Sequence, residues 1–250
     1  MKITIITPAY NCENTIWDTL DSVVSQDYPD IEYIIVDGDS KDHTYSVIQQ
    51  YVSKYPWIRA ISEEDKGLYY ALNKGLKLAT GEVIGILNAG DFYTRENTLS
   101  RIMTVFKEYR TDTVYGDLEY VKKYRTDKVV RYWKSGRYRR RRFYNGWAPP
   151  HPAFFAKREL YEKYGGFDTG LVISSDYELM LRFLFKNRAT AKYLPSVLVR
   201  MPEGGISNSS WRNRWKANKE DRLAWKKNGI RPLFYTRFWK PLHKIRQYFH

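Results

Sequence analysis

The 250-residue chain has a single cysteine, Cys12. That excludes an intrachain disulfide framework and any multi-cysteine zinc cluster, and it favours a reducing, cytoplasmic location. No stretch approaches the roughly 20 uninterrupted apolar residues of a membrane-spanning helix, and the first residues lack a signal-peptide pattern. There is no internal repeat and no Gly/Ser-rich linker. Neither G-x-G-x-x-G nor G-x-x-x-x-G-K-[ST] follows the first apolar run, which argues against a dinucleotide dehydrogenase or a P-loop enzyme. What is present suffices for a core: 43% of residues are hydrophobic and 16% aromatic, so general disorder is excluded. The length fits one domain, or one domain with an appended tail.

The net charge of +14 is unevenly distributed and points to an anionic partner. Residues 122–142 hold eleven Lys/Arg and one acid, Asp127. Residues 211–250 hold twelve Lys/Arg against Glu220 and Asp221. The rest of the chain is mildly acidic. Two basic attachments on an acidic body differ from an all-over nucleic-acid coat. A boundary is expected near 205–211, where Gly204, Gly205 and the serine-rich stretch 207–210 precede the basic end.

Strand and helix patterns alternate. Residues 2–7 (KITIIT) read as a buried strand stopped by Pro8. Residues 11–25 predict a helix, with Ile16, Leu20, Val23 and Val24 on one face and Asn14 or Thr15 as cap. A second strand at 31–36 (IEYIIV) ends in Asp37-Gly38-Asp39-Ser40. A helix over 44–55, a strand over 58–62 and a helix over 68–79 follow. The strand at 83–87 (VIGIL) is closed by Asn88-Ala89-Gly90-Asp91. This order predicts a mainly parallel sheet with helices on both faces. In such sheets the ligand sits beyond the C-terminal strand ends, where every one of these polar clusters falls. Asp37, Asn88 and Asp91 there suit a nucleotide base or ribose, or a divalent cation held by oxygen. The same residue types also cap helices. A diphosphate held without a glycine-rich loop needs a metal, and Asp91 is the best candidate to hold it.

Further pieces then fall into a recognisable series. Thr7-Pro8-Ala9-Tyr10-Asn11 and Val36-Asp37-Gly38-Asp39-Ser40-Lys41-Asp42 are followed by Asp65-Lys66-Gly67 and Ala71-Leu72-Asn73-Lys74-Gly75. Leu87-Asn88-Ala89-Gly90-Asp91 comes next. His151-Pro152-Ala153-Phe154-Phe155, Gly165-Gly166-Phe167-Asp168 and Ser174-Ser175-Asp176-Tyr177-Glu178-Leu179 complete it. In this order and spacing the chain resembles the family 2 inverting glycosyltransferases of the GT-A fold, over roughly residues 1–208. It looks most similar to bacterial members that build surface polysaccharides.

The resemblance implies an α/β, Rossmann-like GT-A fold with a mostly parallel central sheet and a basic helical C-terminal extension. The implied division is a GT-A domain over 1–208 and the extension over 209–250. Within the domain, 1–91 would bind the nucleotide sugar and 92–208 would bind the acceptor and carry catalysis. Thr7, Pro8, Ala9, Tyr10 and Asp37 would surround the base, with Asp37 accepting from a uracil-like edge. Asp65 and Lys66 would lie near the base and diphosphate, with Asn73, Asn88 and Ala89 also on the donor. Asp91 matches the last acid of the metal motif and would hold Mn2+ or Mg2+ against the diphosphate. Asn88 and Gly90 stand where that motif has its earlier acids. Asp176 matches the catalytic carboxylate, and Ser175 replaces the glutamate that often precedes it.

The implied reaction moves a sugar from a nucleotide diphosphate, a UDP-sugar in the first instance, to an acceptor hydroxyl with inversion. Asp176 would take the hydroxyl proton; its alternative role is an N-cap for the helix that follows. His151, expected in a rigid extended segment between Pro150 and Pro152, Trp147 and Ser175 are candidate acceptor contacts. Trp147 is equally a core residue, and His151 equally a structural one. Gly204-Gly205-Ile206-Ser207 reads as either a lid over the donor or a turn. Cys12 reads as an inert small side chain. The run Arg139-Arg140-Arg141-Arg142 with Tyr138, Phe143 and Tyr144, and the tail with Trp211, Trp215, Trp225 and Trp239, resemble a nucleic-acid patch. The same composition suits an anionic membrane surface and a lipid-linked saccharide acceptor, which places the protein peripherally at the inner face of the cytoplasmic membrane. The alternative function is a non-catalytic nucleotide- or polyanion-binding protein on the same scaffold.

Overall fold

The computed structural model describes residues 1–204 and 211–236, with side chains in the last helix from Trp215 onward. Gly205, Ile206 and Ser207 of the expected lid or turn, the serines before the tail, and Trp239 lie outside the described residues, as does the side chain of Trp211.

The first half winds as its sequence pattern predicts. Strands β1 (Ile3–Ala9), β2 (Ile31–Asp37), β3 (Ile58–Ser62) and β4 (Val83–Ile86) lie in the order β3-β2-β1-β4, all parallel. Helices α1 (Ile16–Val24), α2 (Thr44–Lys54) and α3 (Leu68–Leu78) make the crossovers. Every residue of β1 and β4 is buried, which is why both read as unbroken apolar runs. The strand period of two sends Ile3 and Ile5 to one core, and Ile6 to the other. Helix α1 begins later than its pattern suggests. Residues 11–15 form a turn in which Asn11 takes a left-handed φ of 46°, and Thr15 sits at the cap position without a side-chain capping bond.

Past β4 the sheet changes character. Strand β5 is only Phe92–Tyr93, and α4 (Thr98–Tyr109) leads into β6 (Thr113–Lys122) and β7 (Arg125–Trp133). Strand β8 (Phe154–Lys157) runs antiparallel to β4 and to β6, and β9 (Ala191–Pro202) runs parallel to β6 and antiparallel to β5. Strand β7 pairs with β6 off this path. Helix α5 (Arg158–Tyr164) follows β8, and α6 (Ser175–Met180) continues through a wider π turn to Lys186.

The last helix, α7 (Trp211–Lys227), is docked on the body instead of hanging free. Ala224 and Trp225 are buried in the same core as Ile6 and α6. The Trp225 ring stacks on Tyr144 and meets Phe185 edge-on, each at 5.3 Å. Trp225 is therefore a core residue, not part of a surface patch.

Candidate active site

The polar strand ends of β1, β2 and β4 form one rim. The two loops after β1 and β2 are fastened to each other. The Asn11 side chain accepts from Lys41 N (2.8 Å), its own N–H donates to Ser40 Oγ (2.9 Å), and Gly38 N donates to Ala9 O (2.9 Å). Asp37 is fully buried at the end of β2, accepting from Ser40 N (3.0 Å), Ser40 Oγ and Ser62 Oγ (2.6 Å). Ser40 and Ser62 thus fix the orientation of this carboxylate. Ser40 belongs to the polar cluster that closes β2, whereas nothing in the sequence marked Ser62.

Two expected donor contacts need correction. Thr7 is fully buried, and its hydroxyl donates to Leu87 O (2.7 Å) and lies 3.0 Å from Tyr33 Oη. It ties β1 to the end of β4 inside the sheet, so its side chain does not line a base pocket. Asn73 has both ends of its amide on Phe167: Nδ2 donates to Phe167 O and Oδ1 accepts from Phe167 N, each at 2.8 Å. It clamps α3 to the segment before α6. Pro8 and Ala9 are buried, whereas the Tyr10 ring is 63% exposed at the tip of the same turn, against Gly38.

Asp65 and Lys66 lie just before α3. The Asp65 carboxylate is nearly buried, 6% exposed. Lys74 Nζ is its ion-pair partner, 2.9 Å from Oδ1. Lys66 is exposed.

At the end of β4, Thr19 holds the turn: its hydroxyl accepts from Gly90 N and donates to Asp91 O, each at 2.8 Å. Gly90 has φ +95°, a backbone state that an L side chain resists, which accounts for glycine where the motif has an acid. Asn88 and Ala89 are half-buried beside it. The Asp91 carboxyl is 4% exposed, and its one side-chain partner is Asn88 Nδ2 at 3.2 Å. Burial with a single neutral donor pushes its pKa up to about 7. A carboxylate desolvated in this way gains most from a cation. No cluster of three or more acidic, histidine or cysteine ligands occurs among the described residues. The donor set fits an ion held by one carboxylate, waters and substrate phosphates, as Mg2+ commonly is.

The second carboxylate faces the same rim. Antiparallel pairing of β8 with β4 (Gly85 opposite Phe155) puts the residues just before β8 beside the C-terminal end of β4. His151 is there, in a single 3-10 turn, His151–Ala153, and not in an extended segment. It is 8% exposed and edge-on to Phe167 at 5.5 Å. Burial lowers its pKa, while the nearby Asp176 charge pulls it upward. Asp176 is also reached from α3: Tyr69 Oη donates to Ile173 O (2.8 Å) and lies 3.4 Å from Asp176 Oδ1. The cap position of α6 belongs to Ser174, so Asp176 sits within the first turn and is not the N-cap. Oδ1 also accepts from Tyr177 N (2.8 Å), and Oδ2 accepts no hydrogen bond from the described residues. Across 174–181, Asp176 is the one residue not buried.

Two expected acceptor contacts face inward. Ser175 is fully buried, with its hydroxyl unpartnered. Trp147 is 3% exposed; its Nε1 donates to Ser135 O (2.7 Å), and its ring packs on Tyr115 and Phe143. Neither presents a surface to a sugar. Within the arginine run, Arg139, Arg140 and Arg141 are exposed and Arg142 is half-buried, and two of the four guanidinium groups lie on body aromatics. Arg140 donates to Phe185 O and lies over that ring, and Arg142 donates to Ser135 O and Arg137 O over Trp147. Phe143 is fully buried, and Tyr138 donates to Leu184 O. The aromatics of this stretch do not form a stacking platform for bases. Cys12 is half-buried, and burial raises its thiol pKa, in keeping with an inert role.

A parallel sheet continued by an antiparallel segment, with acids near its C-terminal edge, fits the GT-A fold. The sequence profile described as Glycosyl transferase family 2 matches residues 4–165. The chain belongs to this family, and so to the glycosyltransferases. A PGL/p-HBAD biosynthesis glycosyltransferase of Mycobacterium bovis is 27% identical over 208 residues, 82% of this chain and 78% of that protein. Chondroitin synthase of Escherichia coli is 36% identical over 90 residues, 36% of this chain and 13% of the relative. Among solved structures, S. aureus TarS 1–349 in complex with UDP-GlcNAc matches with a TM-score of 0.70 at 19% identity, over 90% of this chain and 66% of that one. The mannosyltransferase PcManGT from Pyrobaculum calidifontis, in complex with GDP-Man and Mn2+, matches with a TM-score of 0.67 at 24% identity, over 99% and 69%. The chain spans 39% of a longer TarS chain.

Proposed function

We propose that the protein transfers a sugar from a nucleotide diphosphate, a UDP-sugar in the first instance, to a hydroxyl of a saccharide or lipid-linked saccharide during polysaccharide assembly. The observation that carries this reading is the placement of both carboxylates near the C-terminal end of β4: Asp91 follows that strand, and Asp176 acts on His151, which precedes β8 beside the same strand end. The uridine preference rests on analogy with TarS, which is seen with UDP-GlcNAc, and divalent metal dependence on PcManGT, seen with Mn2+.

In this mechanism Tyr10 receives the base on a rim that the buried Asp37 braces through Ser40 and Ser62, and Asp65 and Lys66 lie along the diphosphate. A Mn2+ or Mg2+ ion, held by Asp91, would supply charge neutralisation for the leaving diphosphate. Asp176 accepts the proton of the attacking hydroxyl at Oδ2, while its Oδ1 stays fixed by Tyr177 N. General-base assistance of this kind contributes about 10²–10⁴-fold. The Tyr69 hydroxyl keeps its proton because burial raises its pKa, so it remains a donor beside that carboxylate. The sugar binds between residues 1–91 and 92–208, the donor and acceptor halves of a GT-A domain over 1–208.

The extension over 209–250 supplies membrane contact in this reading. Trp215, Lys219, Arg222 and Lys226 repeat at i, i+4, i+7 and i+11, so they share one face of α7, and all are exposed. Trp215 is 76% exposed and Phe234, past the helix, is 85% exposed. No helix among the described residues is long and apolar enough to cross a membrane. A basic, aromatic-ended face suits the anionic inner leaflet of the cytoplasmic membrane.

Turnover of UDP-sugars with Mn2+ tests the reading, with Asp91→Ala and Asp176→Asn as probes. Both variants are expected to lose transfer. Full turnover in both overturns the assignments, and nucleotide binding with no turnover against any acceptor favours a non-catalytic binder.

A further inference from the structure

Glu220 is a buried carboxylate on α7 that no step of the proposed reaction uses. Its two oxygens accept three consecutive backbone N–H groups: Val172 (3.1 Å, Oε1), Ile173 (2.8 Å, Oε2) and Ser174 (2.9 Å, Oε2). These residues run directly into α6 and Asp176. The carbonyl of Ile173 is the group that receives the Tyr69 hydroxyl. Trp225 on the same helix and Asn228 just past its end also contact α6, Trp225 Nε1 to Tyr177 Oη (3.0 Å) and Asn228 Nδ2 to Glu178 Oε1 (3.0 Å). Those hold helix against helix. The Glu220 contacts instead fix the backbone immediately before the proposed base, beside the Tyr69 bond to Ile173 O and a bond from Ser174 Oγ to Ala217 O (3.3 Å).

We infer that Glu220 is a positioning residue for Asp176, so that the C-terminal helix forms part of the active site. Three charge-assisted bonds to successive amides determine where the first turn of α6 begins, and through it where Asp176 Oδ2 points. The inference rests on the proposed role of Asp176 as base. A displacement near 1 Å of a catalytic group can cost about 10²-fold in rate.

Glu220→Gln keeps the size of the side chain but replaces one accepting oxygen with an amide donor, which faces an N–H that also donates. Its kcat is expected to fall on the order of 10²-fold, with UDP affinity and donor KM unchanged. Trp225→Phe, which removes a helix-to-helix bond and leaves Glu220, controls for loosened docking of α7 and is expected to keep its kcat. In an Asp176→Asn background, Glu220→Gln is expected to add no further loss, because the two act as one unit. Unchanged kcat in a folded Glu220→Gln protein overturns the inference, and so does an equal loss in Trp225→Phe or full additivity in the double variant. If Asp176→Asn alone keeps full activity, the failure lies in the base assignment.

Discussion

Burial holds the Asp91 carboxyl at about 7, against an ordinary Asp value of 3.8. Cation binding requires the carboxylate, so Mn2+·UDP affinity is expected to weaken as pH falls through 7, with proton uptake reversed on binding. Calorimetry in buffers of different ionisation enthalpy measures that proton release; its absence at pH 6.5 contradicts the expectation. The sign for stability runs the other way. A carboxyl raised in the folded state contributes stability that is fully present below 3.8 and lost as pH rises through about 7. Asp91→Asn removes this loss, so its Tm relative to wild type is expected to be higher at pH 8 than at pH 5. His151 reports on the other carboxylate. Burial is the larger influence and lowers its pKa, and Asp176 partly offsets it. Asp176→Asn is therefore expected to lower the His151 titration midpoint in NMR; an unmoved midpoint means the two side chains do not sense each other.

At the scale of elements, the segment 165–176 is pinned by Asn73 at Phe167 and by Tyr69 at Ile173, and Arg182 donates to the carbonyls of Tyr164, Gly165 and Gly166. A Cβ on Gly166 would meet Asn73 Oδ1 at 2.4 Å, so the clamp closes only over glycine. Asn73→Ala leaves a donor and an acceptor of Phe167 unpaired, and an unfolding cost of about 1–3 kcal/mol is expected in urea denaturation. An unchanged midpoint removes the clamp from the account. The sequence made the elements of the first half legible because β-branched runs alternate with helical faces and end in polar clusters. It did not reveal the second half as clearly. Strand β8 is four residues and α6 six, too short for a period to declare itself. Nor does a polar side chain's type say which way it points: Asn73 and Thr7 sit in family motifs yet face protein, because the backbone groups beside them needed partners.

For the whole molecule, charge is the legible property, and the fold decides which charges remain available. Arg140 and Arg142 lie over the Phe185 and Trp147 rings, Arg139 and Arg141 remain exposed, and the Lys219, Arg222 and Lys226 face of α7 is open as well. Each cation near an anionic leaflet contributes about 1 kcal/mol, so reversing those three to Glu is expected to weaken binding to phosphatidylserine vesicles by at least about 100-fold. UDP affinity should be unaffected. Vesicle flotation that survives the reversal moves the contact elsewhere. The central claim is that the rim at the parallel strand ends grips a nucleotide diphosphate through a cation on Asp91. UDP affinity measured with and without Mn2+, in wild type and in Asp91→Asn at pH 8, tests it most directly. The account predicts that Mn2+ tightens UDP binding in wild type and has little effect in the variant; an equal Mn2+ effect in both proteins contradicts it.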